Sequence, residues 1–210
     1  MEPSDTLQSS EHAIRLYVKI AAFAAVGLLV GAGIAFAVFS NTPALYQVSE
    51  TALGQVGMPQ SEPVGIRIPS VDIEAEFEEP LGLQSDGEIE VPDSFKTVGW
   101  YKYGPTPGEL GPSVVLGHVD SKAGAEVFYN LRNMEVGDEI FIEREDGTVA
   151  VFEVTELEQH PQDDFPTEEV YGDLNYPGLR LITCSGVYDQ GEARYTHNLI
   201  VYAKLKVENS

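Results

Sequence analysis

The chain has 210 residues, 43% of them hydrophobic and 10% aromatic, enough to build a core and to rule out wholesale disorder. Acidic side chains outnumber basic ones by 34 to 12, a net charge of −22. That balance argues against a nucleic-acid partner, since phosphate binding needs a basic footprint, and is read as a solvated acidic surface.

Residues 1–19 form a polar tail, expected in the cytoplasm. Ile20 to Phe39 is a run of 20 residues without a charged side chain. As a helix it would be about 30 Å long, the thickness of a bilayer's hydrocarbon core. Arg15 and Lys19 stand before it and no Lys or Arg follows until Arg67, so the N-terminus is expected inside and the bulk of the chain outside, on a single-pass anchor over 20–39. A cleaved signal peptide is the competing reading, because Ala35-Phe36-Ala37 resembles a small-residue cleavage site, but the run exceeds the roughly 7–15 residues of a signal core. It is also apolar all round, unlike an amphipathic core helix. Residues 40–62, rich in Ser, Thr, Pro, Gly and Gln without a sustained period, read as a linker. The remaining 63–210 form the extracellular domain.

In that domain the pattern is mainly β. Gly65 to Pro69 and Val71 to Phe77 read as early strands, and Ser113 to His118 as a short apolar strand opened by Gly111-Pro112. Glu126 to Met134 reads as a short helix, with Val127, Leu131 and Met134 near helical spacing. Glu139 to Arg144 alternates, Asp146-Gly147 is a hairpin signal, and Thr148 to Val154 alternates again. Pro161 to Pro177 is an acidic loop expected to carry a short helix. Leu179 to Cys184 and Asn198 to Val207 are the last strands. Many short strands with little helix predict a closed barrel or a sandwich, and periodicity does not choose between them.

Cys184 is the only cysteine. Exported proteins keep cysteines in pairs or lose them, and one alone makes no internal disulfide, so it is either a small buried hydrophobe or a reactive thiol. A cysteine nucleophile needs a proton-transfer partner and a donor for the developing oxyanion. Of four histidines, His118 has the placement for this: it ends a strand, beside Gly117, where a loop begins. Cys184 also ends an apolar strand, and two strand ends can meet at one rim of a barrel. The Ser-x-Gly-Cys motif of L,D-transpeptidases is not in the chain, and the early cysteine and late histidine of papain-like proteases are reversed here. Glu156, Glu158, Asp163, Asp164, Glu168 and Glu169 invite a calcium reading, but their spacing is not that of an EF-hand loop. No metal and no cofactor is expected. The alternative to an enzyme is a non-catalytic, membrane-anchored, wall-binding β-barrel with a buried structural cysteine.

Leu116-Gly117-His118-Val119 followed by Leu181-Ile182-Thr183-Cys184 resembles the sortases, membrane-anchored cysteine transpeptidases of Gram-positive bacteria. The second segment fits their Thr-Leu-x-Thr-Cys signature with Arg180 in place of the first Thr. The resemblance runs from about Val64 to Val207. Gly117-His118-Val119-Asp120-Ser121, Val127-Phe128-Tyr129 and Leu199-Ile200-Val201-Tyr202-Ala203 look most like the actinobacterial class F branch. The resemblance implies a mainly β fold, an eight-stranded barrel with the active site at one end. Cys184 would attack the Thr–Gly carbonyl of an LPxTG-type sorting signal on a surface protein. The thioacyl group would then pass to an amine of the cell-wall precursor, with His118 as general acid and base. Thr183 would hydrogen-bond the substrate backbone. The family also uses an arginine on the last strand. Relatives of this branch often carry it just after the Tyr, where this chain has Thr196. Arg194 shares a strand face with position 196 and is expected to supply the guanidinium instead. Arg180, four residues before the nucleophile, is expected to serve the fold.

Overall fold

The computed structural model describes residues 57–85 and 87–206. The expected tail, the 20–39 anchor and most of the linker lie outside the described residues. Among those described, no helix is long and apolar enough to cross a membrane.

The strands are β1 (Pro63–Ile68), β2 (Ile73–Glu76), β3 (Gly99–Trp100), β4 (Gly111–Leu116), β5 (Asp120–Ser121), β6 (Gly124–Ala125), β7 (Glu139–Arg144), β8 (Val149–Pro161), β9 (Pro177–Asp189) and β10 (Arg194–Leu205). Eight form one curled sheet in the order β2-β1-β7-β8-β10-β9-β4-β3, and β5 and β6 make a separate ribbon. All named neighbours run antiparallel except β4 and β9, which are parallel. The outermost strands are stitched together just beyond their ends: Glu78 N–H donates to Val98 O at 3.0 Å and Val98 N–H to Glu76 O at 3.1 Å. This seam satisfies the edges and decides for a barrel over a sandwich.

Alternation along the strands fills the interior. Ile66, Ile68, Ile140, Ile142, Phe152, Val154, Leu179, Leu181 and Val201 form the main core with Phe128 and Leu131, which plug one end. The opposite parity of β4, β9 and β10 supplies a second cluster on the outer face: Val114, Ile182, Ile200 and Tyr202, covered by Val170 from the short helix α1 (Thr167–Tyr171). Burial on both faces is why 179–184 reads as a continuous apolar run instead of an alternating one.

The Asp146-Gly147 hairpin forms as expected. Gly147 takes a positive φ of 80°, and Arg144 N–H donates to Thr148 O at 3.0 Å. The helix expected over 126–134 is shorter, a 3-10 turn over Tyr129–Asn133, with Leu131 N–H donating to Phe128 O. Burial of Leu131 and Met134 fixes the tighter turn. Residues 57–62 already lie on the barrel. Gly57 bridges Glu109, and the buried Arg144 donates to Pro59 O.

Candidate active site

The parallel β4–β9 ladder brings His118 and Cys184 to one end of the barrel. Leu116 is paired with Ile182, and Gly117 N–H donates to Ile182 O at 3.2 Å. His118 and Cys184 each stand two residues past that pair, on the parity of the outer face. Gly117 is required by close approach: a Cβ there would fall 2.6 Å from Phe128 Cδ2 and 2.9 Å from Cε2. Phe128 is fully buried, so its ring has nowhere to go. Gly117→Ala is therefore expected to destabilise the domain by about 1–3 kcal/mol, the usual cost of overpacking. Thermal unfolding measures this, and an unchanged Tm would show that the plug yields.

The imidazole of His118 is turned onto the segment joining β2 to β3. Nε2 is 2.8 Å from Pro92 O, and the ring lies 4.5 Å from that of Phe95, centroid to centroid. A carbonyl accepts only, so Nε2 carries the hydrogen and Nδ1 is left as the basic nitrogen. The segment is pinned beside His118: Val127 N–H donates to Phe95 O at 3.2 Å, and Lys96 Nζ meets Glu126 at 2.6 Å. That lysine, with the Ser121 hydroxyl, holds the Glu126 carboxyl below the usual carboxylate range.

Cys184 is half-buried in β9, opposite Asn198 of β10. The Gln162 amide reaches it from outside the barrel, with Nε2 4.0 Å from Sγ and 3.3 Å from Asn198 Oδ1. On its other side Cys184 lines a cavity of roughly 330 Å³ at the barrel mouth, shared with Asp120, Thr183, Ser185, Tyr195 and Leu199. Burial, and then the negative charge of Asp120, push the thiol pKa above its ordinary value. At neutral pH the thiol is therefore protonated, and attack on a carbonyl needs a group that removes its proton. Thr183 is 4% exposed and its hydroxyl has no hydrogen-bond partner among the described residues.

Arg194 opens β10, and its guanidinium reaches back over the β8–β9 connection. Nη2 donates to Asp163 Oδ1 at 2.8 Å and Nη1 to Gln162 Oε1 at 3.5 Å. It thus stands one side chain away from the thiol, with Gln162 between. The strand slips register between Tyr195 and His197, and Thr196 Oγ1 is taken up by Val187 N–H at 3.1 Å. Arg180, buried beneath α1, stacks on Tyr202 at 4.7 Å and donates to Glu169 O at 3.4 Å, a structural position. His160 is bound to Glu158, while His197 is opposite Ser185, one rung from Cys184, with Nδ1 2.8 Å from Thr196 Oγ1.

A sortase-domain family model matches residues 66–206, the whole barrel from β1 to the end of β10. The chain belongs to the sortase family. Its members are cysteine transpeptidases, and Cys184 is the one cysteine in the sequence. Solved structures similar to this sortase include the lid mutant of sortase A from Corynebacterium diphtheriae, at 21% identity and a TM-score of 0.54, covering 72% of this chain and 74% of that one. Sortase C-1 from Actinomyces oris matches at 21% identity and a TM-score of 0.52 (69% and 75% covered). Sortase C1 from Streptococcus suis matches at 17% and 0.54 (72% and 76%). At these identities the likeness is one of fold. No curated protein matches the chain.

Sequence reasoning missed Gln162, Asp120, Tyr195 and Ser185 as neighbours of the thiol. Asp120 opens the two-residue β5 and Gln162 the short 3-10 turn after β8, and they gain meaning only when β8, β10, β9 and β4 are laid side by side. A signal was present for Asp120, which lies two residues after His118 in the loop that begins there.

Proposed function

We propose that this sortase is a membrane-anchored, extracellular transpeptidase that cleaves an LPxTG-type sorting signal between Thr and Gly and transfers the acyl group to a cell-wall amine. The observation that supports this reading is the pairing of Leu116 with Ile182, because His118 and Cys184 each follow that rung by two residues at the same end of the barrel. The outer face beside Cys184 supports a peptide substrate. Leu116 of β4 and Phe165 of the β8–β9 connection, partly exposed at the edge of the outer apolar cluster, fit an extended segment that begins with Leu-Pro. Within the family we place the chain nearest the class F branch, on the motifs around His118, Phe128 and Ile200. The 20–39 segment supplies the anchor, oriented by Arg15 and Lys19.

In this reading the Cys184 thiolate adds to the Thr carbonyl, His118 protonates the departing Gly amine, and a thioacyl-enzyme remains. An amine then attacks that thioester and Cys184 leaves. Thr183 serves substrate binding through its hydroxyl, which has no hydrogen-bond partner among the described residues. Arg194, released from Asp163, serves the oxyanion.

The arginine assignment has its own test. Loss of one oxyanion donor costs roughly 10²–10³ in turnover, so Arg194→Ala is expected to lower kcat by that factor. Arg194→Lys should rescue only part, because an ammonium lacks the planar fork. If Arg194→Ala keeps its kcat while Gln162→Ala loses it, the nearer amide is the donor. The reaction itself is tested by incubating the full-length protein with a panel of LPxTG variants and assorted amines and identifying products by mass spectrometry. Absence of Thr–Gly cleavage across the panel would refute the reading.

A further inference from the structure

We propose that the cavity at the barrel mouth is the binding site for the acceptor amine, and that Asp120 is the residue that holds its ammonium. This rests on the transpeptidase reading and deepens it.

Cys184 is reached from two sides. Gln162 and Asn198 meet it on the outer face, with Ile182 and Ile200 further along the same parity. The cavity meets it from the inner side, where Thr183 and Leu199 are paired across β9 and β10. A transpeptidase must present two different molecules to one sulfur. The outer face carries the partly exposed apolar side chains of Leu116 and Phe165 and suits the sorting signal. The lining of the cavity has the opposite character.

Three of its groups are suited to an ammonium, which brings three hydrogen-bond donors and no acceptor. Asp120 supplies a carboxylate, held in place by the Tyr195 hydroxyl, which donates to Oδ2 at 2.5 Å. Thr183 Oγ1 and Ser185 Oγ are buried oxygens without a hydrogen-bond partner among the described residues, on the two residues that flank the thiol. Buried polar atoms are seldom left unpaired, and two residues carrying such atoms on the same cavity as a carboxylate, in a space large enough for a ligand, mark a place built for donors. The Tyr195 hydroxyl is locked as a donor: its hydrogen bond to Asp120, followed by burial, pushes its pKa to about 12.

Arg132 also belongs to the lining. Its guanidinium stacks on Tyr129 at 4.2 Å and its Nε donates to Tyr129 O at 2.9 Å. With Gln159 it offers donors to carbonyl oxygens. The ligand class that fits is therefore a primary ammonium carried on a polar, amide-containing chain.

The step is balanced without any further reagent. The amine nitrogen forms a C–N bond to the acyl carbon, and the C–S bond to Cys184 breaks. Ammonium plus thioester gives amide plus thiol, with one proton left for solvent. Asp120 is a binding residue in this step and not the nucleophile's base.

The experiment uses the full-length protein with an LPxTG-type peptide and triglycine as the amine. It measures the ratio of amide product to hydrolysed product by mass spectrometry, across a range of triglycine concentrations. A parallel series uses hydroxylamine, which is uncharged at neutral pH and needs no ammonium site. Asp120→Asn is expected to raise the KM for triglycine at least tenfold and lower the triglycine ratio to match, with a much smaller change in the hydroxylamine ratio. Asp120→Glu should recover part of the loss. Tyr195→Phe, a smaller change to the fold, should shift the triglycine ratio at least threefold in the same direction. If Asp120→Asn leaves the triglycine ratio within twofold of wild type, or raises the KM for the peptide instead, the assignment is overturned while the transpeptidase reading stands. Should Asp120→Asn fail to fold, a Tyr195→Phe ratio equal to wild type overturns it. If the wild type cleaves no LPxTG peptide, both readings fall together.

Discussion

Cys184→Ala is expected to abolish peptide cleavage and acyl transfer while leaving the barrel folded. The substitution removes the sulfur and little volume, and Cys184 contributes to neither of the two apolar clusters. It sits at the end of the apolar part of β9, where Gln162 touches its sulfur at 4.0 Å from one side and the mouth cavity opens on the other. Circular dichroism and thermal unfolding should match the wild type, while a quenched LPxTG peptide should show no turnover above the uncatalysed rate. Retained turnover would remove Cys184 from the chemistry. Loss of the fold would favour the alternative of a wall-binding barrel with a structural cysteine. The raised thiol pKa sharpens the expectation: a thiol disfavoured as thiolate depends on its neighbours for activation, so the sulfur cannot act alone.

His118→Ala is expected to lower kcat by roughly 10²–10⁴, the range for loss of a positioned general acid–base. With Nε2 bound to Pro92 O, Nδ1 is the basic nitrogen. The ring is held by Phe95 and the segment anchored through Lys96 and Glu126, so the group is fixed in place before substrate arrives. The competing histidine is His197, one rung from Cys184 on the ladder but tied to Thr196. Steady-state kinetics of His118→Ala and His197→Ala side by side decide between them. A large kcat loss on His197→Ala with little on His118→Ala would transfer the acid–base role to β10.

Much of this site could be read from the chain because its parts lie on strongly patterned strands. β7 occupies the residues its alternation marks, Glu139–Arg144, with Ile140 and Ile142 inward. The apolar run before Cys184 and the short strand before His118 fixed the two strand ends, and the ladder then joined them. Three features were not legible. β9 and β10 continue as a paired ribbon to Asp189 and Arg194, well past the apolar run, through exposed residues with no pattern to mark them. The barrel seam rests on a few backbone bonds between Glu76, Glu78 and Val98, which leave no side-chain signature. The polar neighbours of the thiol come from four different segments, and only the register of β4, β8, β9 and β10 assembles them. Arg194 shows both sides of this. Strand parity named it, but its pairing with Asp163, 31 residues away in sequence, depends on where the β8–β9 connection folds.

The measurement that bears most directly on the central claim is the intact mass of the full-length protein after incubation with an LPxTG-type peptide in the absence of added amine. The account predicts a species heavier by the acyl fragment ending in Thr, with the Gly-containing fragment released. Peptide mapping should place the adduct on Cys184, and addition of an amine should discharge it. An unmodified protein beside cleaved peptide, or an adduct on any other residue, would contradict the account.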